Sequence, residues 1–253
     1  MDYLPNIKYP DAEKGMLQDL AALFRAWHAE AQTKDFGNSC SADDMVFDGF
    51  YPFYTLQKKK ILFIGREALG IEGRNYLEVL HPAYKENSVG GRHINQHQFH
   101  YLMFYIAYGL NNDLADWEDI PPADELSKSF ASEQGVSFAF MNISKLSNES
   151  TSWDADWKLI DSFVNAFSKC AVNYFNQEIS IINPDLIITM NLEGRLKALG
   201  KLDVVEYGSK LSKYNLNVEG RKIPLFDTFH FSAPGKSPKN DYYELIRKEA
   251  KNI

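Results

Sequence analysis

Residues 58–73 read KKKILFIGREALGIEG. Inside them, KILFIG (60–65) is an apolar run that does not alternate and that ends on a glycine. A strand with one wet face alternates apolar and polar side chains. An unbroken run is instead the pattern of a strand covered on both faces, as in a parallel sheet. Three later stretches have the same character: SFAFMNI (137–143), PDLIITMN (184–191) and IPLFDTFH (223–230). Helical spacing fills the gaps at 96–109, 153–178 and 192–200, and a last helix is expected over 239–251. This alternation predicts an α/β chain, a three-layer α/β/α sandwich around a mostly parallel, four-stranded central sheet. The connections flanking SFAFMNI are long enough for right-handed crossovers.

Upstream of the first strand, Leu17, Leu20, Leu23, Phe24 and Trp27 recur at spacings of three and four, which predicts an amphipathic helix over 13–33. Residues 35–52 are turn-rich with scattered aromatics and read as a packed loop. The chain therefore divides into an N-terminal helical and loop extension packed on the body (1–57) and one α/β domain (58–253). Residues 202–222, with Glu219-Gly220, read as a short hairpin.

Composition narrows the partners. The formal net charge is -7, whereas a protein that holds long duplex nucleic acid by counterion release is usually basic. The balance thus favours a small-molecule or protein partner, or weak and local nucleic-acid contact. Two cysteines, Cys40 and Cys170, are too few for a four-thiolate zinc site or an iron–sulfur cluster, and they read as reduced thiols. No apolar run approaches the ~18–20 residues of a membrane span, and the N-terminus lacks a basic start before an apolar core. The expectation is a cytoplasmic protein with no membrane partner.

Ligands of open α/β sheets bind beyond the carboxyl ends of the strands. After the first strand, GREALG lacks the Lys and Ser/Thr of a phosphate loop, and Gly65 and Gly70 are too far apart for a dinucleotide fingerprint. What remains there is a carboxylate, Glu67, on a tight turn. Asn142 ends the second strand, and its amide edge matches the carbonyl and imide nitrogen of a pyrimidine. Asn191 reads as a helix cap. His230 ends the fourth strand, followed by Ser232 and a Pro234-Gly235 turn. A histidine so placed can donate to a developing oxyanion. Each residue also has a plain structural reading: a solvated loop glutamate, a turn cap, a packed histidine.

Taken together, GREAL (65–69), FMNISKL (140–146) and HFSAP (230–234) resemble the motifs of the uracil-DNA glycosylase superfamily. That family has a glycine, any residue and an acid after its first strand, an asparagine ending a middle strand, and a late His-Pro-Ser. The resemblance spans roughly 60–250. Phe231 stands in place of the motif's proline, and Pro234 where some members carry a wedging leucine. The resemblance implies hydrolysis of the N-glycosidic bond of a damaged or deaminated base in nucleic acid (DNA), after base extrusion. Glu67 and His230 are then the catalytic pair: Glu67 stabilises the sugar cation and positions water, and His230 hydrogen-bonds the departing base. Gly65, Arg66, Tyr76, Asn142 and Ser232 bind substrate, with Tyr76 preferred over Tyr84 as the stacking ring. No cofactor or metal is implied. The alternatives are a protein that binds or hydrolyses a nucleoside or nucleotide, and an inactive binding module of the same fold.

Two features fall outside this scheme. If RHINQHQFH (92–100) were helical, His93, His97 and His100 would share a face, and this row reads as pocket cover or phosphate contact more readily than as zinc ligands. Lys58, Lys59 and Lys60 lie at the amino end of the first strand and read as its solvated entrance, away from the crevice.

Overall fold

In the computed structural model, which describes residues 3–37, 40–150, 152–251 and 253, the chain begins with the expected amphipathic helix. This helix, α1 (Lys14–Ala31), buries Leu17, Leu20, Leu23, Phe24 and Trp27 along one side. The stretch expected to be loop ends in a short strand, β1 (Gly49–Phe50), and β2 (Ile61–Gly65) follows. Next come β3 (Ala68–Leu69), α2 (Tyr76–Lys85), β4 (Ser88–Val89), β5 (Arg92–His93), α3 (Gln98–Asn111) and α4 (Ala123–Lys128). The second half runs through β6 (Ala139–Asn142), β7 (Ser147–Asn148), α5 (Trp157–Phe167), α6 (Tyr174–Ile182) and β8 (Leu186–Met190). It ends with β9 (Leu202–Glu206), β10 (Leu211–Val218), β11 (Arg221–Thr228) and α7 (Glu244–Ala250).

The four unbroken apolar runs become four adjacent parallel strands, in the order β6-β2-β8-β11. Among the described residues, however, the sheet has seven strands and not four. β1 pairs antiparallel with β6 at one edge, while β10 and β9 extend the other edge antiparallel. The additions escape a search for apolar runs for two reasons: β1 is two residues long, and β9 and β10 are only partly buried. Glu219 and Gly220, both at positive φ (49° and 83°), close the β10–β11 hairpin as a two-residue turn.

Helices cover both faces of the sheet. Alternate strand residues enter two cores, as the pleat requires. Leu62, Ile64, Met141, Ile187 and Leu225 meet α1, α5 and α6 in one core. Ile61, Phe63, Phe140, Ile188 and Phe226 meet α2, α3 and α7 in the other. The N-terminal residues are therefore part of the same sheet and the same core as the rest. The single long helix expected over 153–178 is two helices, because the Asn173 side chain accepts from Asn176 N and starts α6 anew. Lys59 ties the C-terminus to the amino end of β2 through the carbonyls of Ala250 and Ile253, both at 3.1 Å. No described helix is long and apolar enough to cross a membrane.

The strand order reverses between β2 and β8: β2 leads to β6 on one side, and β8 leads to β11 on the other. Crevices form outside the carboxyl ends of strands at such a switch point.

Candidate functional site

The turn after β2 is fixed by backbone pairing that outlasts the strands. Gly65 is in register with Asn142, Ile143 N donates to Gly65 O at 3.0 Å, and Ser144 N to Arg66 O at 2.9 Å. Space dictates the glycine: a Cβ there would lie 2.8 Å from Asn142 Oδ1 and 2.8 Å from Phe140 Cζ.

Beyond the turn, Glu67 is partly buried and its Oε1 accepts from Asp156 N at 2.8 Å, at the start of α5. Burial raises its proton affinity above the usual carboxylate range, opposed by that N–H and by Arg66. Arg66 lies over the Trp157 ring, 4.5 Å from its centre. Arg195 lies over the same ring at 4.1 Å, held by two bonds to Asp161 of 2.6 and 2.8 Å. Arg66 Nε is buried and has no hydrogen-bond partner among the described residues.

Asn142 is 2% exposed, and its Nδ2 also lacks a partner among the described residues. Its backbone N donates to Asp48 Oδ2 at 2.7 Å. The other oxygen of Asp48 is 2.5 Å from Lys145 Nζ, which is also 2.9 Å from Glu178 Oε2. All three charged side chains are fully buried. Burial pulls the Lys145 amine down, but Asp48 and Glu178 outweigh it and hold the amine charged. Burial likewise drives Glu178 well up. Segments far apart in sequence thus combine to hold one asparagine.

Tyr76 does not lie free in the crevice. Its ring is stacked on Phe140 with centres 4.5 Å apart and planes 10° apart, and it is buried. The partly exposed aromatic is Phe99, 6.1 Å from Phe140 and 5.4 Å from His230. Among the histidines of 93–100, the sequence signal for Phe99 is its aromatic ring at the start of α3.

His230 Nδ1 accepts from Ser232 N at 3.2 Å, so the ring proton sits on Nε2. Burial, helped by Arg66, lowers its pKa to about 4, and the ring is neutral near pH 7. Ser232 contributes its backbone N–H, and its side chain is exposed. Phe231, in place of a proline, is buried in the second core against Phe63 and Tyr242. Arg66 is a common neighbour, close enough to act on both Glu67 and His230. Asp227, not anticipated, accepts from Thr189 Oγ1 at 2.6 Å and Leu192 N at 3.3 Å, and burial raises its proton affinity. Asn191 is not a helix cap. It sits at φ 56°, and the turn Glu193–Leu199 has no side-chain cap.

Comparison with protein-family models, with curated proteins and with solved structures gives no match. The chemistry of the site therefore rests on its own geometry. Two carboxylates with raised proton affinity, a neutral imidazole with an Nε2 proton and two buried donors without acceptors lie at the carboxyl ends of parallel strands. Such a set suits a planar ligand rich in acceptor atoms, and burial makes Glu67 a stronger base than a solvated carboxylate.

The histidine row is not one helical face. His93 belongs to β5, His97 precedes α3, and His100 is buried with its Nδ1 2.9 Å from Tyr84 Oη. Among the described residues, no three His, Cys, Asp or Glu side chains are grouped to hold a metal. No disulfide joins Cys40 and Cys170.

Proposed function

We propose that this chain hydrolyses the N-glycosidic bond of a damaged or deaminated base in nucleic acid, as a uracil-DNA glycosylase does. The observation that carries the reading is the Asn142 amide. A buried N–H without an acceptor costs about 1–3 kcal/mol, and Asn142 Nδ2 is such a group. A nucleobase supplies the missing acceptor. His230 Nε2–H then meets the base oxygen on which negative charge grows, a contact worth on the order of 3 kcal/mol in the transition state. Glu67 positions water and stabilises the cationic sugar. Since Asn142 is buried, the crevice opens for the base to reach it.

The test is release of free base from uracil-containing single- and double-stranded oligonucleotides and from free nucleosides. Wild type releases base, Glu67→Gln is slower by roughly 10²–10⁴-fold, and Asn142→Ala weakens binding of the free base. No release from any substrate, together with no binding of free base, overturns the reading. The acidic net charge of -7 favours the second reading, hydrolysis of a free nucleoside or nucleotide. Equal turnover of nucleoside and oligonucleotide would select it.

A further inference from the structure

Trp153 is the outer end of a line of rings that leads to His230. Its side chain is 71% exposed on the loop between β7 and α5. The Trp153 and His97 ring centres are 6.2 Å apart, and those of His97 and His100 are 4.4 Å apart. His100 is 5.0 Å from Phe99, which is 5.4 Å from His230. The Arg92 guanidinium lies 5.9 Å from the Trp153 ring centre, and among the described residues Arg92 forms no ion pair. The carboxylates close to Trp153 in sequence are engaged by local groups. Glu149 accepts from Glu72 N, Asp154 from the Ser152 hydroxyl, and Asp156 from Lys158 N and Leu159 N.

An indole this exposed leaves apolar surface in water, and here it carries an uncommitted cation beside it. Stacking on a base combined with contact to a phosphate is how single strands are gripped without sequence preference. A duplex keeps its bases stacked on each other and needs a basic stripe, which a chain of net charge -7 with one arginine here does not offer.

We propose that Trp153 and Arg92 form a second nucleotide subsite at the outer end of this line of rings, stacking a base and contacting a phosphate of the strand whose other nucleotide is bound near His230, so that the substrate is single-stranded nucleic acid. This rests on the reading of the crevice as a nucleobase site. The occupant of the subsite is a nucleotide of an unpaired strand: Trp153 takes its base, and Arg92 its phosphate.

The probe is a short fluorescein-labelled oligothymidylate carrying one uracil, titrated by anisotropy against wild type, Trp153→Ala and Arg92→Ala. Free uracil binding is measured in parallel on the same proteins and on Asn142→Ala. Wild type binds the single strand more tightly than the matching duplex. Trp153→Ala weakens the single strand roughly 5- to 150-fold, the range of one base–aromatic stack. Arg92→Ala lowers the slope of log K against log salt by about 0.7, one phosphate on a single strand. Neither change alters free uracil binding. A Trp153→Ala protein that binds the oligonucleotide like wild type, or a preference for duplex, overturns the subsite. Failure of the crevice reading looks different: no protein, wild type included, then binds free uracil, and Asn142→Ala leaves oligonucleotide binding unchanged.

Discussion

His230 shows how one side chain links the chemistry of the site to the stability of the fold. Its imidazole is held neutral by burial and by Arg66, with a pKa of about 4 against the ordinary 6.5 of a histidine. The unfolded chain therefore binds a proton at a higher pH than the folded one does. The stabilisation from the neutral ring is fully present above pH ~6.5 and is lost as pH falls from there through about 4. We expect unfolding free energies of wild type to fall across that window relative to His230→Gln, by on the order of 3 kcal/mol at its acid end. Denaturant titrations of both proteins at pH 7, 5.5 and 4 measure this, and parallel curves would show that His230 titrates normally. Glutamine keeps a donor in the site, so its residual activity reports the imidazole separately. At this scale the sequence located Gly65, Glu67, Asn142 and His230 at strand ends, because a strand end is where an apolar run stops. It did not reveal which way each side chain turns. Glu67 is directed to Asp156 N and Tyr76 onto Phe140, and these partners lie 89 and 64 residues away.

Elements meet at the buried cluster of Asp48, Lys145 and Glu178, which comes from the end of the N-terminal segment, the loop after β6 and α6. Removing one member of a buried ion cluster leaves the others charged without compensation. Lys145→Met is expected to destabilise the protein by about 3–5 kcal/mol, read by chemical denaturation. Because Asp48 also holds the Asn142 N–H, any folded Lys145→Met protein should lose free-base affinity as well. Retained affinity in a destabilised protein would show that the cluster acts on stability alone. Among the elements themselves, the doubly covered strands were legible, the hairpin read over 202–222 holds β9 and β10, and β1 was not legible. An edge strand has one hydrogen-bonded neighbour and one wet side, so its composition carries a weaker signal.

At the scale of the molecule, the N-terminal segment is part of the body. Trp27 is fully buried, with its ring centre 4.9–5.9 Å from those of Phe163, Phe167, Tyr174 and Phe175. Trp27→Ala is expected to cost about 3–5 kcal/mol. A chain starting at Gln57 should show no cooperative unfolding transition by circular dichroism, since it lacks α1 and β1. A truncated protein that melted cooperatively near the wild-type temperature would show that the segment is dispensable.

The sequence by itself determined the order of the parallel strands along the chain, the helix that precedes them and the turns where chemistry can sit. Burial on two faces demands unbroken apolar runs, and burial on one side of a helix demands a spacing of three and four; both leave marks in local sequence. The tertiary structure alone decided what surrounds those turns. Asp48 and Lys145 behind Asn142, Phe99 beside His230, and Arg66 and Arg195 on Trp157 all depend on the close approach of segments distant in sequence, and no local pattern encodes such an approach.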